Sequence, residues 1–460
     1  MNLAVVVLAA GQGTRMKSQV PKVLHPVLGR PMIRYVIDTL NRLKPDRKII
    51  VINPLHDPVC NYLSGFDCEI AVQKKLLGTA DALRSAFSLL HGFEGTVLVV
   101  NGDTPLISPV TLKKFLTRHH RSGSDISVLS FNAGDPSYYG RIIRNNSGSA
   151  CMIVEEKDLS AGQKAIREVN SGVYAMKHNV EGLLGKIKKN PKKKEYYLTD
   201  ILALASKRGL KSDVINIGLE EEFHGVNTMA DLLAAQRLIQ KGLINKLMKK
   251  GVRFLNPDSV IVHPDVRIAP DSVIYPSVCL EGRTVIGRSS KIFQGVRIVD
   301  SRIGRGVSVL DNSLIEGSRV DDESSVGPFA RLRPDSIIGK NVKIGNFVEI
   351  KNSRILEGTK AGHLSYIGDA TIGRNVNIGA GTITCNYDGV KKHRTVIGDE
   401  VFVGSDTQLI APVRVGKRAF IAAGSTITED VSANALAISR AGQKEIAGWS
   451  HKKFKKDGKE

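Results

Sequence analysis

A single tryptophan stands among 460 residues, and aromatics make up only 5% of the chain. The basic runs, residues 192–194 and the tail from Lys452 to Lys459, therefore offer no row of aromatics on which bases could stack. Acidic residues are short as well, 45 against 66 lysines and arginines, for a net charge of +21. Because the basic residues are spread along the chain, small polyanionic substrates or a generally basic proteome explain that balance better than a nucleic-acid partner. The cysteines, Cys60, Cys68, Cys151, Cys279 and Cys385, are odd in number and scattered, which argues against a disulfide framework or a cysteine zinc site. No apolar run approaches the ~20 residues of a membrane span. The apolar stretch 3–10 lacks a basic flank and runs into a glycine-rich loop, so it does not read as a signal peptide. A cytoplasmic protein without membrane attachment is expected.

What the chain has in quantity is glycine, 44 residues, and a second half crowded with β-branched side chains. The first half alternates strand-like runs (3–8, 48–52, 96–100, 126–130) with amphipathic helical stretches (32–43, 80–90). That order predicts a Rossmann-like α/β domain with a doubly wound, mostly parallel sheet, binding its ligands beyond the carboxyl ends of the strands. The second half reads as all-β. Val326, Leu332, Ile338, Ile344, Ile350 and Leu356 recur every six residues, as do Ile397, Val403, Leu409, Val415, Ile421 and Ile427. Ile286, Ile292, Ile298 and then, after one slip, Ile303, Val309 and Ile315 keep the same period. A hexapeptide repeat is the signature of a parallel β-helix. Between the halves, Leu232, Ala235, Ile239, Leu243 and Leu247 mark one face of a helix that Gly251 would stop. The expected segments are 1–228, a helical connection 229–251, and 252–460 with its basic tail. Clean repeats are expected from about Val260.

The first strand runs into Leu8, Ala9, Ala10, Gly11, Gln12, Gly13, Thr14, Arg15 and Met16, with Pro21 and Lys22 beyond. A glycine-rich turn after a first strand lets backbone N–H groups approach a phosphate, and Arg15 and Lys22 can neutralise it. Asp103, just past the strand at 96–100, offers a hard oxygen for Mg²⁺ bridging triphosphate oxygens. In the second half the run 361–366 places His363 and Tyr366 where inward aliphatics are expected. The segment 385–389, Cys385-Asn386-Tyr387-Asp388-Gly389, interrupts the repeat. His363 can accept a proton near neutral pH, and the Asn386 amide can donate to a developing negative charge. Cys385 reads as a small packing residue.

The string over residues 8–16, with Pro21-Lys22, Leu77-Gly78-Thr79 and Asn101-Gly102-Asp103, resembles the signature of the sugar-1-phosphate nucleotidyltransferases. Tyr139-Gly140-Arg141, Glu155-Glu156-Lys157, Val169-Asn170-Ser171-Gly172, Tyr197-Leu198-Thr199-Asp200 and Val226-Asn227 follow in order. Together with the repeats, these make the whole chain resemble the bacterial bifunctional N-acetylglucosamine-1-phosphate uridyltransferase/glucosamine-1-phosphate acetyltransferases. The resemblance implies a left-handed β-helix, a homotrimer assembled through it, and supply of UDP-N-acetylglucosamine for peptidoglycan and lipopolysaccharide.

It also implies residue roles. UTP and the UDP-sugar would meet Leu8, Ala9, Ala10, Gly11, Lys22, Gln73, Gly78, Thr79 and Asn101. Gly140, Glu155, Asn170 and Thr199 would hold the sugar, and Asp103 with Asn227 would hold Mg²⁺. Arg333, Lys351 and Lys392 would meet the glucosamine phosphate, with Tyr366 and Asn377 on the sugar. Ala380, Asn386, Tyr387, Ser405, Ala423 and Arg440 would line the acetyl-CoA side. Two departures stand out: Lys74-Lys75-Leu76 precedes the Leu-Gly-Thr motif where an acid and a Gln are common, and Asn101 replaces a frequent aromatic. The competing readings are a sugar nucleotidyltransferase or a regulatory assembly subunit with a non-catalytic β-helix, and a zinc site built from His363, His393 and His263.

Overall fold

In the first unit, the apolar run Leu3–Leu8 forms β1 at the middle of a twisted sheet. Its neighbours are β2 (Arg47–Ile52), β3 (Glu69–Val72), β4 (Thr96–Asn101), β5 (Ile126–Asn132), β6 (Arg141–Arg144), β7 (Ala150–Val154), β8 (Glu168–Lys177) and β9 (Ser212–Asn216). The main order is β9-β5-β8-β4-β1-β2-β3, with the β6–β7 hairpin attached to β8. The coordinates come from a computed structural model, which describes residues 2–456 except 55, 56, 146, 147, 149, 192 and 193. Lys192, Lys193 and the last residues of the basic tail therefore lie outside the described residues.

β1 pairs in parallel with both β2 and β4, residue for residue from Ala4 to Leu8. β8 runs antiparallel to β4 and β5, so the sheet is mixed and only its remaining main strands are parallel. Helices α1 (Met32–Asn41), α2 (Thr79–Phe87) and α3 (Pro109–Ser122) cover the sheet. Their apolar stripes join two separate core clusters, one on each face: Leu83 and Phe87 of α2 pack into one, and Ile33, Val36 and Leu112 into the other. Two covered faces explain why β1 and β4 are apolar at nearly every position.

α4 (Asp200–Lys207) follows, and then α5 (Met229–Met248), within which the chain divides into units 2–239 and 240–456. Gly251 takes a left-handed conformation, φ +88°, just beyond that helix. Ala235 is buried on α5 as the spacing predicts, but Ile244, and not Leu243, is the buried residue of the later turns.

The second unit is a left-handed parallel β-helix of three sheets, with eleven, ten and nine short strands. Most register partners lie eighteen or seventeen residues apart, as in Ile274 with Ile292 and Ile292 with Val309, but the coil that carries the loop after Cys385 spaces them by 25, as in Ile378 with Val403. Nearly every strand turns at least one aliphatic side chain inward, Thr384 taking that place in the strand Ile383–Cys385, and the aliphatic residues form one core from Val252 to Ile427. The coil begins earlier than Val260: residues 253 and 254 already pair with 273 and 274. Two further expectations are corrected here. Ile355 is fully buried and Leu356 is not, because the coil takes five residues at that corner, not six. His363 and Tyr366 do not occupy inward positions either; Ala361 and Ile367 do, and the histidine is exposed on the outer surface.

Candidate functional sites on the two units

The first unit carries a cleft of about 540 Å³ at the carboxyl ends of β1 and β4. Leu8, Ala9, Ala10, Gly11, Lys22, Gln73, Gly78, Thr79, Asn101, Asp103 and Glu155 all line it. The volume is ordinary for a small-molecule site. Two glycines make its shape possible. Gly13 has φ +65°, and a Cβ there would come within 2.6 Å of Lys22 Cβ, so the glycine lets the lysine fold back over the turn. Gly78 has φ +104°, and a Cβ there would strike the Tyr196 carbonyl oxygen at 2.6 Å.

The charged centre is a knot of four side chains. Lys22 Nζ donates to Asp103 Oδ2 at 2.5 Å and to Asn227 Oδ1 at 2.7 Å. Arg15 Nη2 donates to the same Asn227 oxygen at 2.8 Å. Asn227 Nδ2 donates to the Gly225 carbonyl at 3.2 Å, which turns its oxygen toward the cations. Asp231, in the first turn of α5, accepts from the backbone N–H groups of Asn227 and Thr228 and so anchors this loop. The Asp103 carbonyl accepts from Val226 N–H at 2.9 Å and joins the two loops directly. The convergence of Asp103 and Asn227 oxygens on one ammonium shows that both can reach a single cation, and both are hard donors suited to Mg²⁺. Among the described residues no cluster of three or more His, Cys, Asp or Glu could hold a metal, so the remaining ligands of such an ion would have to be substrate oxygens or water.

Beside the knot, Gln73 is buried and donates to the Gly78 carbonyl and to Asp81 Oδ2. Thr79 Oγ1 accepts from Leu198 N–H at 3.0 Å. Asn101 packs against Gly172, where a Cβ would lie 2.3 Å from Asn101 Nδ2. Gly140, Glu155, Asn170 and Thr199 form a second group. The Gly140 carbonyl accepts from Asn170 N–H at 2.8 Å, and Thr199 Oγ1 donates to Glu155 Oε1 at 3.0 Å. Burial pushes the Glu155 carboxyl above its usual range, and the Thr199 hydroxyl only partly opposes this. Asn170 Nδ2 donates to Tyr174 OH, whose own titration burial pushes up strongly. Sequence reasoning assigned no role to Tyr174, nor to Glu195 and Tyr197, which line the cleft. The last two sit in the motif that carries Thr199, and that neighbourhood was the available signal.

On the β-helix the site residues fall into columns set by coil register. Asn346 is paired with His363, and His363 Nδ1 lies 2.6 Å from Asn346 Oδ1. Below them, Gly381 N–H bonds the Leu364 carbonyl, Asp406 N–H the Ala380 carbonyl, and Gly424 N–H the Ser405 carbonyl. Arg440 Nη1 then donates to the Ala423 carbonyl at 2.6 Å. His363, Ala380, Ser405, Ala423 and Arg440 thus run down one corner of successive coils. Asn377 stands on the outer face of the strand just before Ala380, between Lys360 and Phe402 in register.

A second column begins with Arg333, whose N–H bonds the Ile350 carbonyl beside Lys351 and whose Nη1 meets Glu349 Oε1 at 3.0 Å. Lys351 pairs in register with Gly368, and its Nζ lies 3.9 Å from Asp369 Oδ2. Asp369 is buried and takes Asn352 Nδ2 on one oxygen and Asn386 Nδ2 on the other, both at 2.5 Å. Lys392 stands close to Lys351, and the direct side-chain contact with that second ammonium, together with its like charge, holds the Lys392 ammonium below the usual lysine range. Tyr366 lies across Gly368, where a Cβ would be 2.5 Å from its hydroxyl.

The loop bearing Asn386, Tyr387 and Lys392 is closed by Asp388. Its carboxylate accepts from Lys391 N–H, from His393 Nε2 and from Val390 N–H, which together hold it well below the usual carboxylate range. His393 N–H returns to the Asn386 carbonyl at 2.8 Å. Tyr387 is exposed and donates to the Gly389 carbonyl. Burial raises the Cys385 thiol, so it is no ready nucleophile. Asn346 and Asp369 had no place in the sequence reading, because they carry their partners across coils and not along the chain.

Comparison with known proteins gives a consistent result. Residues 5–170 match the model of the MobA-like NTP transferase domain, and residues 318–413 match that of the GMPPB C-terminal domain. Bifunctional protein GlmU of Thermodesulfovibrio yellowstonii is 49% identical over 451 residues, covering 98% of this chain and 99% of that one. Bifunctional protein GlmU of Pelobacter propionicus is 43% identical, covering 99% of each chain, and that of Thermus thermophilus is 43% identical, covering 98% of each. At such identity over nearly the whole length of both partners, the chain belongs to the bifunctional GlmU family.

Proposed function

We infer that the chain makes UDP-N-acetylglucosamine in two steps: acetyl transfer from acetyl-CoA to glucosamine-1-phosphate, then uridylyl transfer from UTP to the N-acetylated product with release of pyrophosphate. Residues 252–460 carry the first step, residues 1–228 the second, and 229–251 join them. The observation that carries this reading is the presence of two separate constellations on two units of one chain, each with the charge its reaction needs. Both substrates with high-energy bonds are cytoplasmic metabolites, and no helix among the described residues is long and apolar enough to cross a membrane.

For acetyl transfer, Asn346 Oδ1 accepts from His363 Nδ1–H, which leaves Nε2 as the base. Nε2 takes a proton from the ammonium of glucosamine-1-phosphate, and the freed amine forms a bond to the thioester carbonyl carbon. The carbon–sulfur bond then breaks, the nitrogen gives up its second proton to the departing sulfur, coenzyme A leaves as the thiol, and His363 releases its own proton to water. One N–H of the Asn386 amide is committed to Asp369, and the other remains for the developing oxyanion. Arg333, Lys351 and Lys392 meet the sugar phosphate, Tyr366 and Asn377 the sugar, and the column through Ala380, Ser405, Ala423 and Arg440, with Tyr387, meets coenzyme A.

For uridylyl transfer, a phosphate oxygen of N-acetylglucosamine-1-phosphate bonds to the α-phosphorus of UTP as the bond to pyrophosphate breaks. No protein nucleophile is required, so the protein contributes positioning and charge. Arg15, Lys22 and the N–H groups near Gly11 face the phosphates. Gln73, Gly78 and Thr79 face the base, and Gly140, Glu155, Asn170 and Thr199 face the sugar. Asp103 and Asn227 would hold Mg²⁺, which supplies charge neutralisation between phosphate oxygens.

A homotrimer through the β-helix fits a column of apolar side chains on its outer surface. Phe329, Phe347 and Leu364 are each at least half exposed and stand at the same corner of three successive coils. The two phenylalanine rings stack at 5.5 Å, and all three residues take positive φ, where glycine or asparagine is the usual occupant. The overall reading is tested by mass spectrometry of products from glucosamine-1-phosphate, acetyl-CoA, UTP and Mg²⁺, with each omitted in turn. UDP-N-acetylglucosamine from the full mixture alone supports both steps. Conversion only of added N-acetylglucosamine-1-phosphate would make the β-helix a scaffold.

A further inference from the structure

The oxygen pair assigned to the metal already holds a cation, and it belongs to the protein. Lys22 Nζ sits between Asp103 Oδ2 and Asn227 Oδ1 at 2.5 and 2.7 Å, and Arg15 adds a second positive donor to Asn227 Oδ1 at 2.8 Å. The placement is built in. Lys22 is only 11% exposed, Gly13 leaves room for its backbone to fold over the turn, and Asn227 is oriented by its own bond to Gly225.

An ammonium and a divalent ion cannot share two oxygens at these distances. Their mutual repulsion comes on top of the loss of two charge-assisted hydrogen bonds. A nucleoside triphosphate changes the balance, because its phosphate oxygens offer Lys22 and Arg15 a richer set of acceptors than one carboxylate and one amide. We propose that Lys22 is an internal counter-ion that occupies the Asp103–Asn227 pair in the free protein and leaves it for the phosphates, so that the pair accepts a divalent metal only together with nucleotide. The proposal rests on the assignment of Asp103 and Asn227 as metal ligands. It gives Lys22 a role before the chemistry: it keeps the free carboxylate neutralised and couples metal entry to nucleotide entry.

The test measures Mn²⁺ binding to the full chain without nucleotide, by the electron paramagnetic resonance signal of the unbound ion. Lys22→Met and Lys22→Gln both remove the charge, and the second keeps a polar head should the first fail to fold. Each is expected to bind Mn²⁺ about tenfold more tightly than the wild type, since the competing occupant is gone. Adding Asp103→Asn to either variant should abolish the gain. If neither variant binds more tightly than the wild type, the counter-ion role is overturned. The same titration with a non-hydrolysable methylene analogue of UTP separates the two assignments. Asp103→Asn should weaken Mn²⁺ binding there. If it does not, the metal assignment itself is wrong, and the counter-ion proposal falls with it.

Discussion

The two sites are built by opposite means. The cleft of the first unit is assembled from loops far apart in the chain, with Lys22, Asp103 and Asn227 meeting in one knot of hydrogen bonds. The β-helix site is laid out by coil register, so that Asn346, His363 and the corner below them follow one another at nearly fixed rise. A site made of loops depends on backbone conformations such as the left-handed turn at Gly13, and its charges can rearrange. A site laid on a stacked β-helix has its backbone held on every coil and depends on individual side chains. Perturbing the loop backbone should therefore damage the first, and changing single groups should damage the second.

The largest effect is expected for His363→Ala. Loss of the base should lower acetyl transfer by about 10³-fold and leave uridylyl transfer unchanged, as read by separate assays of the two steps. Loss of both in a folded variant would break the comparison. Gly13→Ala comes next. Its Cβ would collide with Lys22 Cβ, and the displaced lysine should cost uridylyl transfer roughly 10²-fold while acetyl transfer persists.

Asn346 bonds His363 Nδ1 and is assigned only the orienting of that ring, so Asn346→Ala should cost acetyl transfer only about tenfold. Asn346→Asp should instead recover much of the rate and move the acidic limb of its pH profile upward, because a carboxylate beside Nδ1 favours the protonated imidazole. A purely structural role would leave the pH profile in place.

The smallest effect concerns Glu155. Its carboxyl titrates above the ordinary value because burial disfavours the anion, so the native state binds this proton more tightly than the unfolded chain does. That contribution to stability is present at pH below the unfolded value and is lost as pH rises through the raised folded one. Glu155→Gln should accordingly raise Tm by about 2 °C at pH 8, with the gap closing toward pH 4.5. Calorimetry at the two pH values checks the sign.

The elements that positioned each site were largely legible in the sequence, for different reasons. The turn after β1 and Asp103 after β4 could be placed because apolar runs covered on both faces mark central strands, and ligands gather at their carboxyl ends. The antiparallel β8 was not legible, since its partners on β5 and β4 lie 36 to 81 residues away and its own composition does not disclose direction. On the β-helix the six-residue period located most inward residues but failed at Leu356. A coil of seventeen residues drops one position, and either Ile355 or Leu356 could have filled the core. The same ambiguity put His363 inside. Only the stacking of Ala361 on Ile344 and Ile378 shows that the histidine faces outward, where it can reach Asn346. The engagement of Lys22 with Asp103 and Asn227 was invisible because it joins residues 81 and 205 positions apart.

The central claim is that the two constellations work independently and pass a free intermediate between them. It is tested most directly by mixing two defective full-length variants, Asp103→Ala and His363→Ala, with glucosamine-1-phosphate, acetyl-CoA, UTP and Mg²⁺. Neither variant alone should form UDP-N-acetylglucosamine, because one lacks the second step and the other the first. The mixture should form it, after N-acetylglucosamine-1-phosphate from one variant reaches the intact cleft of the other. A mixture that stays inactive while both variants remain folded would contradict the assignment of one reaction to each unit.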